Sequence, residues 1–163
     1  MADVHVKGLA ELQKMLNTLA PKMEKNIMRG ALRAGANVIK EEAKQNINSI
    51  SGQLAKGLKV STSGKGGEVI ASVKAKGPHG YIANWVEFGT KPHTITAEEG
   101  SLLLDATFAG SVDHPGASPH PFMRNSLDAK SGAAVVAVGE YIKKRLATKE
   151  GINTSDITIE AEE

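Results

Sequence analysis

Between Pro21 and Asn46 nothing in the sequence breaks a helix except two glycines, Gly30 and Gly35. Pro21 suits the first turn, where its missing N–H is no loss. Met23, Ile27, Ala31, Ala34 and Val38 form one apolar stripe, and Met28, Leu32, Ile39, Ala43 and Ile47 form the stripe beside it. The apolar face is therefore wide, and at 1.5 Å per residue the rod is about 35–40 Å long. One other segment is long enough to cover it. From Pro121 or Phe122 to about Lys149, Met123, Leu127, Ala134, Val138, Ile142 and Leu146 trace a buried stripe. A glycine inside a helix costs roughly 1 kcal/mol against alanine, so "GALRAGA" predicts close contact with another helix. Gly132, Ala133, Ala134, Ala137 and Gly139 thin the second helix in the same way. The two long helices are expected to pack there at short distance.

Composition bears on how firmly such a core holds. Aromatic residues make up only 4% of the 163 residues, so packing rests on Leu, Ile, Val and Ala. Small side chains bury less area each, and a subunit built from them gains from assembly. The length suits one domain. There is no cysteine, which excludes disulfides and thiolate metal sites. A net charge of +2 argues against a strongly basic nucleic-acid footprint. No run nears the roughly 20 apolar residues of a membrane span, and "MADVHVKGLAELQ" lacks the order of a signal peptide. A soluble cytoplasmic protein is expected.

The remaining segments read as short elements. "DVHVKG" alternates, with Val4 and Val6 opposed to Asp3, His5 and Lys7, as a first strand does. Leu9, Leu12, Leu16 and Leu19 mark a short amphipathic helix. "NINSISGQLAKG" is a polar break. "LKVSTS" and "EVIASVKAKG" read as two strands joined by "SGKGGE", which lacks the phosphate-loop pattern. "GYIANWVEFG" reads as a short helix closed by Gly89, with Tyr81, Trp85 and Phe88 on one face. "HTITA" and "LLLDATFAG" are extended, and "SVDHPGASPHPF" is an ordered loop or extended arm stiffened by Pro115, Pro119 and Pro121. Helices at both ends and strands between predict an α+β fold, with an antiparallel sheet of about five strands packed against long N-terminal and C-terminal helices. Residues 1–149 are expected to form one domain. Residues 150–163 form an acidic tail, either disordered or adding "DITIE" to a sheet edge.

Chemistry is sparse. His5, His79, His93, His114 and His120 include no i, i+4 helical metal pair. Glu87, between Trp85 and Phe88, is the best single acid candidate, yet no second acid lies close in sequence. Capping a turn or pairing with a basic residue is the commoner role. Arg124, badly placed for the dipole at a helix start, is expected to reach a carboxylate, Glu87 first. Lys56, Lys59, Lys65, Lys74 and Lys76 cluster on the two-strand region, as a solvated face or a face turned to DNA phosphates. No metal, cofactor or catalytic set is expected.

Taken together, "RGALRAGANVIKEEAKQNI", the strands, "YIANWVEFGT" and then "PHPFMRNSLDAK" opening a terminal helix resemble the neck or tail-completion proteins of long-tailed double-stranded-DNA phages, the minor tail protein Z-like family. The likeness centres on Val86, Glu87, Phe88, Gly89 and Thr90, followed about 30 residues later by Pro119, Pro121, Phe122 and Met123. It covers roughly Leu9 to Leu146. The resemblance implies a structural virion protein at the head–tail junction, made in the host cytoplasm, joining tail to capsid by ring-type assembly. Its partners would be further copies of itself, as a ring in the virion with a monomer in solution left open, and other neck and tail proteins, with non-specific contact to channel DNA left open as well. Trp85, Glu87, Phe88, Gly89, Thr90, Pro119, Pro121, Phe122, Met123 and Arg124 would then be packing or assembly anchors. Two readings compete with it: a small hydrolase using Glu87 with a nearby His, and a DNA-contacting module using the lysine-rich hairpin.

Overall fold

The rod read from Pro21 onward forms with those boundaries. In the computed structural model, which describes residues 6–19, 21–47, 52–65, 68–78, 80–97, 102–104, 107–149 and 151–161, helix α2 spans Pro21–Asn46. Helix α1 (Leu9–Leu16) precedes it, and the last helix, α5, spans Phe122–Lys149. Along α2 the buried positions are Ile27, Ala31, Gly35, Ile39 and Ala43, with Ile47 just beyond the end. They are spaced by four, a single ridge of the kind that interlocks helices. The ridge takes members from both of the stripes read from the sequence.

Helices α2 and α5 run antiparallel, because their contacts follow opposite chain order. Asn46 donates its side-chain N–H to Ser126 Oγ at 2.9 Å. Glu42 meets Lys130 at 3.7 Å. A Cβ on Gly35 would stand 2.7 Å from the Ala134 carbonyl oxygen and 2.8 Å from Val138 Cγ2. On Gly30 it would enter the Tyr141 ring. The close approach expected of "GALRAGA" is present, and at Gly35 it is helix backbone against helix backbone.

The core is closed by Leu12 and Leu16 of α1, Ile27 and Ala31 of α2, Ile142 and Leu146 of α5, and Ile157 and Ile159. The last two come from the stretch read as a tail. There Ile157 and Ile159 are buried while Thr158 and Glu160 are exposed, the alternation of a half-buried strand. Ala161 bridges antiparallel to Val6, and the Lys7 N–H donates to the Glu160 carbonyl at 3.1 Å. Lys143 Nζ donates to the Ile157 carbonyl. Residues 151–161 therefore pack on the domain. Of the first strand read from "DVHVKG", Asp3, Val4 and His5 lie outside the described residues.

Strands β1 (Leu58–Lys65) and β2 (Glu68–Ala75) form the expected hairpin, in register from Leu58↔Ala75 to Lys65↔Glu68. They pack on α2, where the Arg33 guanidinium donates to Thr62 Oγ1 at 3.1 Å. A one-turn helix, α3 (Gln53–Gly57), occupies part of the stretch read as a polar break. Its Leu54 is buried, and that single apolar anchor holds the turn.

The chain divides into two compact units, Met1–Gly80 with Phe122–Glu163, and Tyr81–Pro121. Everything described so far belongs to the first. The second carries helix α4 (Ile82–Phe88) and strands β3 (His93–Thr96), β4 (Leu102–Leu104), β5 (Thr107–Ala109) and β6 (Ser111–His114). Here β3 pairs with β6, and β4 with β5 inside them. One register runs from Thr90↔Ala117 through His93↔His114 to Thr96↔Ser111, and the Ala97 N–H extends it by donating to the Gly110 carbonyl at 3.0 Å. The segment read as a loop or extended arm is thus one side of a two-stranded arm.

The α+β class holds, but the single antiparallel sheet of about five strands does not form. Among the described residues the strands make three separate antiparallel pairs, β1–β2, β3–β6 and β4–β5. A sheet grows when strands share a face worth burying. All four residues of β3 are exposed, as are Ser111 and Asp113 of β6. These short polar strands have no apolar face that would draw in a third.

Candidate functional site

The second unit sets Tyr81, Trp85 and Phe88 outward. Tyr81 and Trp85 meet edge to face, ring centroids 5.0 Å apart and planes at 75°. Such a pair holds both rings in fixed orientation. Trp85 is 53% exposed and Phe88 65%. Glu87, between them in sequence, is 5% exposed, a burial that carboxylates tolerate only when partnered.

Gly89 ends α4 at φ 72° and ψ −178°, a region essentially reserved for glycine. Its turn lays the chain flat against residues 117–119. A Cβ there would stand 2.5 Å from the Ala117 carbonyl oxygen and 2.9 Å from Pro119 N. Thr90 and Ala117 exchange both backbone hydrogen bonds, at 2.9 and 3.1 Å, and the His120 N–H donates to the Val86 carbonyl at 2.7 Å. Val86, Gly89 and Thr90 are thereby pinned to Ala117, Pro119 and His120 through main-chain atoms. The "VEFGT" piece is thereby joined, within the second unit, to the residues that lead into the Pro119–Pro121 turn. Pro121 closes the unit half-buried, and Phe122 opens α5 at 2% exposure.

Further along the arm, the His93 and His114 rings lie 5.1 Å apart. His93 Nδ1 is 2.9 Å from the Lys91 carbonyl, and His114 Nδ1 accepts the Gly116 N–H at 3.0 Å. Thr94 Oγ1 donates to Asp113 at 2.7 Å. Each ring nitrogen named here serves a local turn. Among the described residues no group of three or more His, Cys, Asp or Glu is placed to hold a metal. His5 and His79 lie outside those residues.

The lysines named from the sequence lie in the first unit, on α3 and along the β1–β2 hairpin and its end. Lys59 is the direct cross-strand partner of Lys74. Lys56, Lys59 and Lys76 line a shallow depression with Gly57, Gly77 and Pro78. Lys65 pairs with Glu68 at the far end of the hairpin.

One feature escaped the sequence reading. An open apolar groove of about 670 Å³ runs between α2, β2 and α5. Leu32, Gly35 and Ile39 form one wall, Ile70 and Val73 another, and Met123, Leu127 and Val135 the third, with Arg124 beside Met123. Leu127, assigned to a buried stripe by its spacing, is 50% exposed, and Ile70 is 54% exposed. The signal was present in α5, whose apolar residues spread around the helix instead of keeping to one side. A helix of that pattern has a second face to cover.

Residues 10–89 match the family model described as "Bacteriophage HK97-gp10, putative tail-component". The match runs from α1 to Gly89, taking in the aromatic helix and leaving out the arm and α5. No curated protein and no solved structure matches the chain. The likeness to a phage tail family read from the sequence is shown by this match.

Proposed function

We propose, from the match of residues 10–89 to the HK97-gp10 tail-component family model, that the protein acts at the head–tail junction as a structural neck or tail-completion protein. It joins tail to capsid by ring-type assembly of its own copies and by contact with other tail proteins. Made in the host cytoplasm, it is incorporated into the virion.

The observation that carries this reading is the second unit. A two-stranded arm whose β3 residues are all exposed is marginal in water. Here it is pinned at its base by the Thr90–Ala117 and Val86–His120 bonds, beside a helix that turns Trp85 and Phe88 to solvent. A rigid base with uncovered aromatic and strand surface suits joining, as no chemistry needs it. The site residues named from the sequence then divide by role. Gly89, Thr90 and Pro119 fix the base, Trp85 and Phe88 present the surface, and Phe122 seats α5.

Electron microscopy of the purified protein mixed with isolated tails and with DNA-filled heads tests this. Density added at the tail end or the head portal is expected. Absence of binding to either particle, together with hydrolytic activity lost in Glu87→Gln, would replace it with the enzyme reading.

The lysine-rich hairpin favours an additional contact with channel DNA. Lys59 and Lys74 face each other, and like charges opposite one another are unfavourable unless an anion lies over them. Binding to random duplex DNA that weakens steeply with salt is expected, and Lys59→Ala with Lys74→Ala should flatten that slope.

A further inference from the structure

Resting on the assembly reading, we infer that the Tyr81–Trp85–Phe88 face of one copy docks into the α2–β2–α5 groove of a second copy. Both halves of the contact are carried by this chain. The three rings, each more than half exposed, leave about 300 Å² of aromatic surface in water. That is about the size of the largest apolar patch on an ordinary monomer, a patch that is often functional. The groove, at about 670 Å³, has the volume of a pocket that takes a drug-sized ligand.

The chemistry of the two surfaces agrees. The exposed residues of α4 and its cap are Tyr81, Asn84, Trp85 and Phe88, none of them charged. The groove lining has only Arg124 and Ser131 as polar side chains among thirteen other residues that are apolar or glycine. Docking therefore brings little charge out of water, the term that most often defeats an apolar contact. In area, the rings supply over a third of the about 800 Å² that each partner gives to a stable interface. The exposed arm next to them in the chain is the source of the remainder.

Knob and groove are different surfaces, so the contact is head-to-tail. Each copy offers one of each, and association continues from copy to copy until it closes. This matches a ring-forming protein and names the residues that set its contact.

The test uses two full-length variants, Trp85→Ser with Phe88→Ser to remove the knob, and Leu127→Glu to block the groove. Ile70→Glu on β2 serves as a second groove variant if Leu127→Glu does not fold, as judged by its urea midpoint. Sedimentation velocity follows each alone and mixed in equal amounts. The wild type is expected to associate with rising concentration, and each variant alone to do so at least about tenfold more weakly. The equal mixture should recover a species of two chains and nothing larger, since only one knob and one groove remain intact. A variant that associates like the wild type, or a mixture without the two-chain species, overturns the inference. Wild type that stays monomeric yet binds isolated tails also overturns it while leaving the assembly reading in place. Wild type that neither self-associates nor binds tails ends both.

Discussion

Glycines decide more here than any charged residue does. Gly89 holds a backbone conformation that other residues reach only with strain of about 1–3 kcal/mol, and a Cβ would press on the Ala117 carbonyl. Gly89→Ala is expected to destabilise the second unit by about 3 kcal/mol. Hydrogen exchange should show it as lost protection at the Thr90, Ala117 and His120 amides. Gly35 and Gly30 separate two kinds of close approach. At Gly35 the obstacle is the Ala134 backbone, which cannot step aside, so Gly35→Ala should cost about 1–3 kcal/mol in urea unfolding. At Gly30 it is the outer end of the Tyr141 ring, which can swing away. Gly30→Ala should be near neutral, because the gain in helix propensity of about 1 kcal/mol offsets the shift. Phe122→Ala should cost about 3–5 kcal/mol, as for any large core side chain. The requirement for glycine at position 89 was legible from its place after "VEF". What the glycine must avoid, a carbonyl 28 residues further along the chain, was not, since nothing local encodes it.

At the level of elements, the periodic ones were legible and the short ones were not. Helices α1, α2, α4 and α5 and the β1–β2 hairpin follow from apolar spacing and glycine punctuation, which act locally. Helix α3 was missed because one buried leucine, Leu54, outweighs a polar neighbourhood, and burial is a tertiary fact. The segment after Lys149 was legible in pattern but not in destination. Its Ile157 and Ile159 complete the core beside Leu12 and Leu146. Ending the chain after Lys149 should therefore destabilise the first unit by at least about 4 kcal/mol, since it deletes two buried isoleucines, and chemical denaturation will measure it. On the hairpin, Lys74→Glu turns a like-charge pair with Lys59 into an opposite one, and should raise stability by about 0.5 kcal/mol.

For the whole molecule, stability is unevenly shared between the two units. The first holds the apolar cluster of α1, α2, α5 and the terminal segment, while in the second β3 exposes every residue. Amide exchange in the middle of α2 and α5 should approach the rate of global unfolding, and β3 and β6 should exchange orders of magnitude faster. Assembly that covers the arm should slow the second set alone. The sequence by itself determined the long helices, their glycine-lined contact and the α+β class, because side-chain period and backbone punctuation are properties of neighbouring residues; the likeness to a phage tail family rested on motif resemblance instead. Only the tertiary structure decided that the described strands remain as separate pairs, that Ile157 and Ile159 enter the core, and that α5 leaves a groove open beside β2. Each of those depends on which surfaces meet across the chain, and burial of that kind is set by the whole fold.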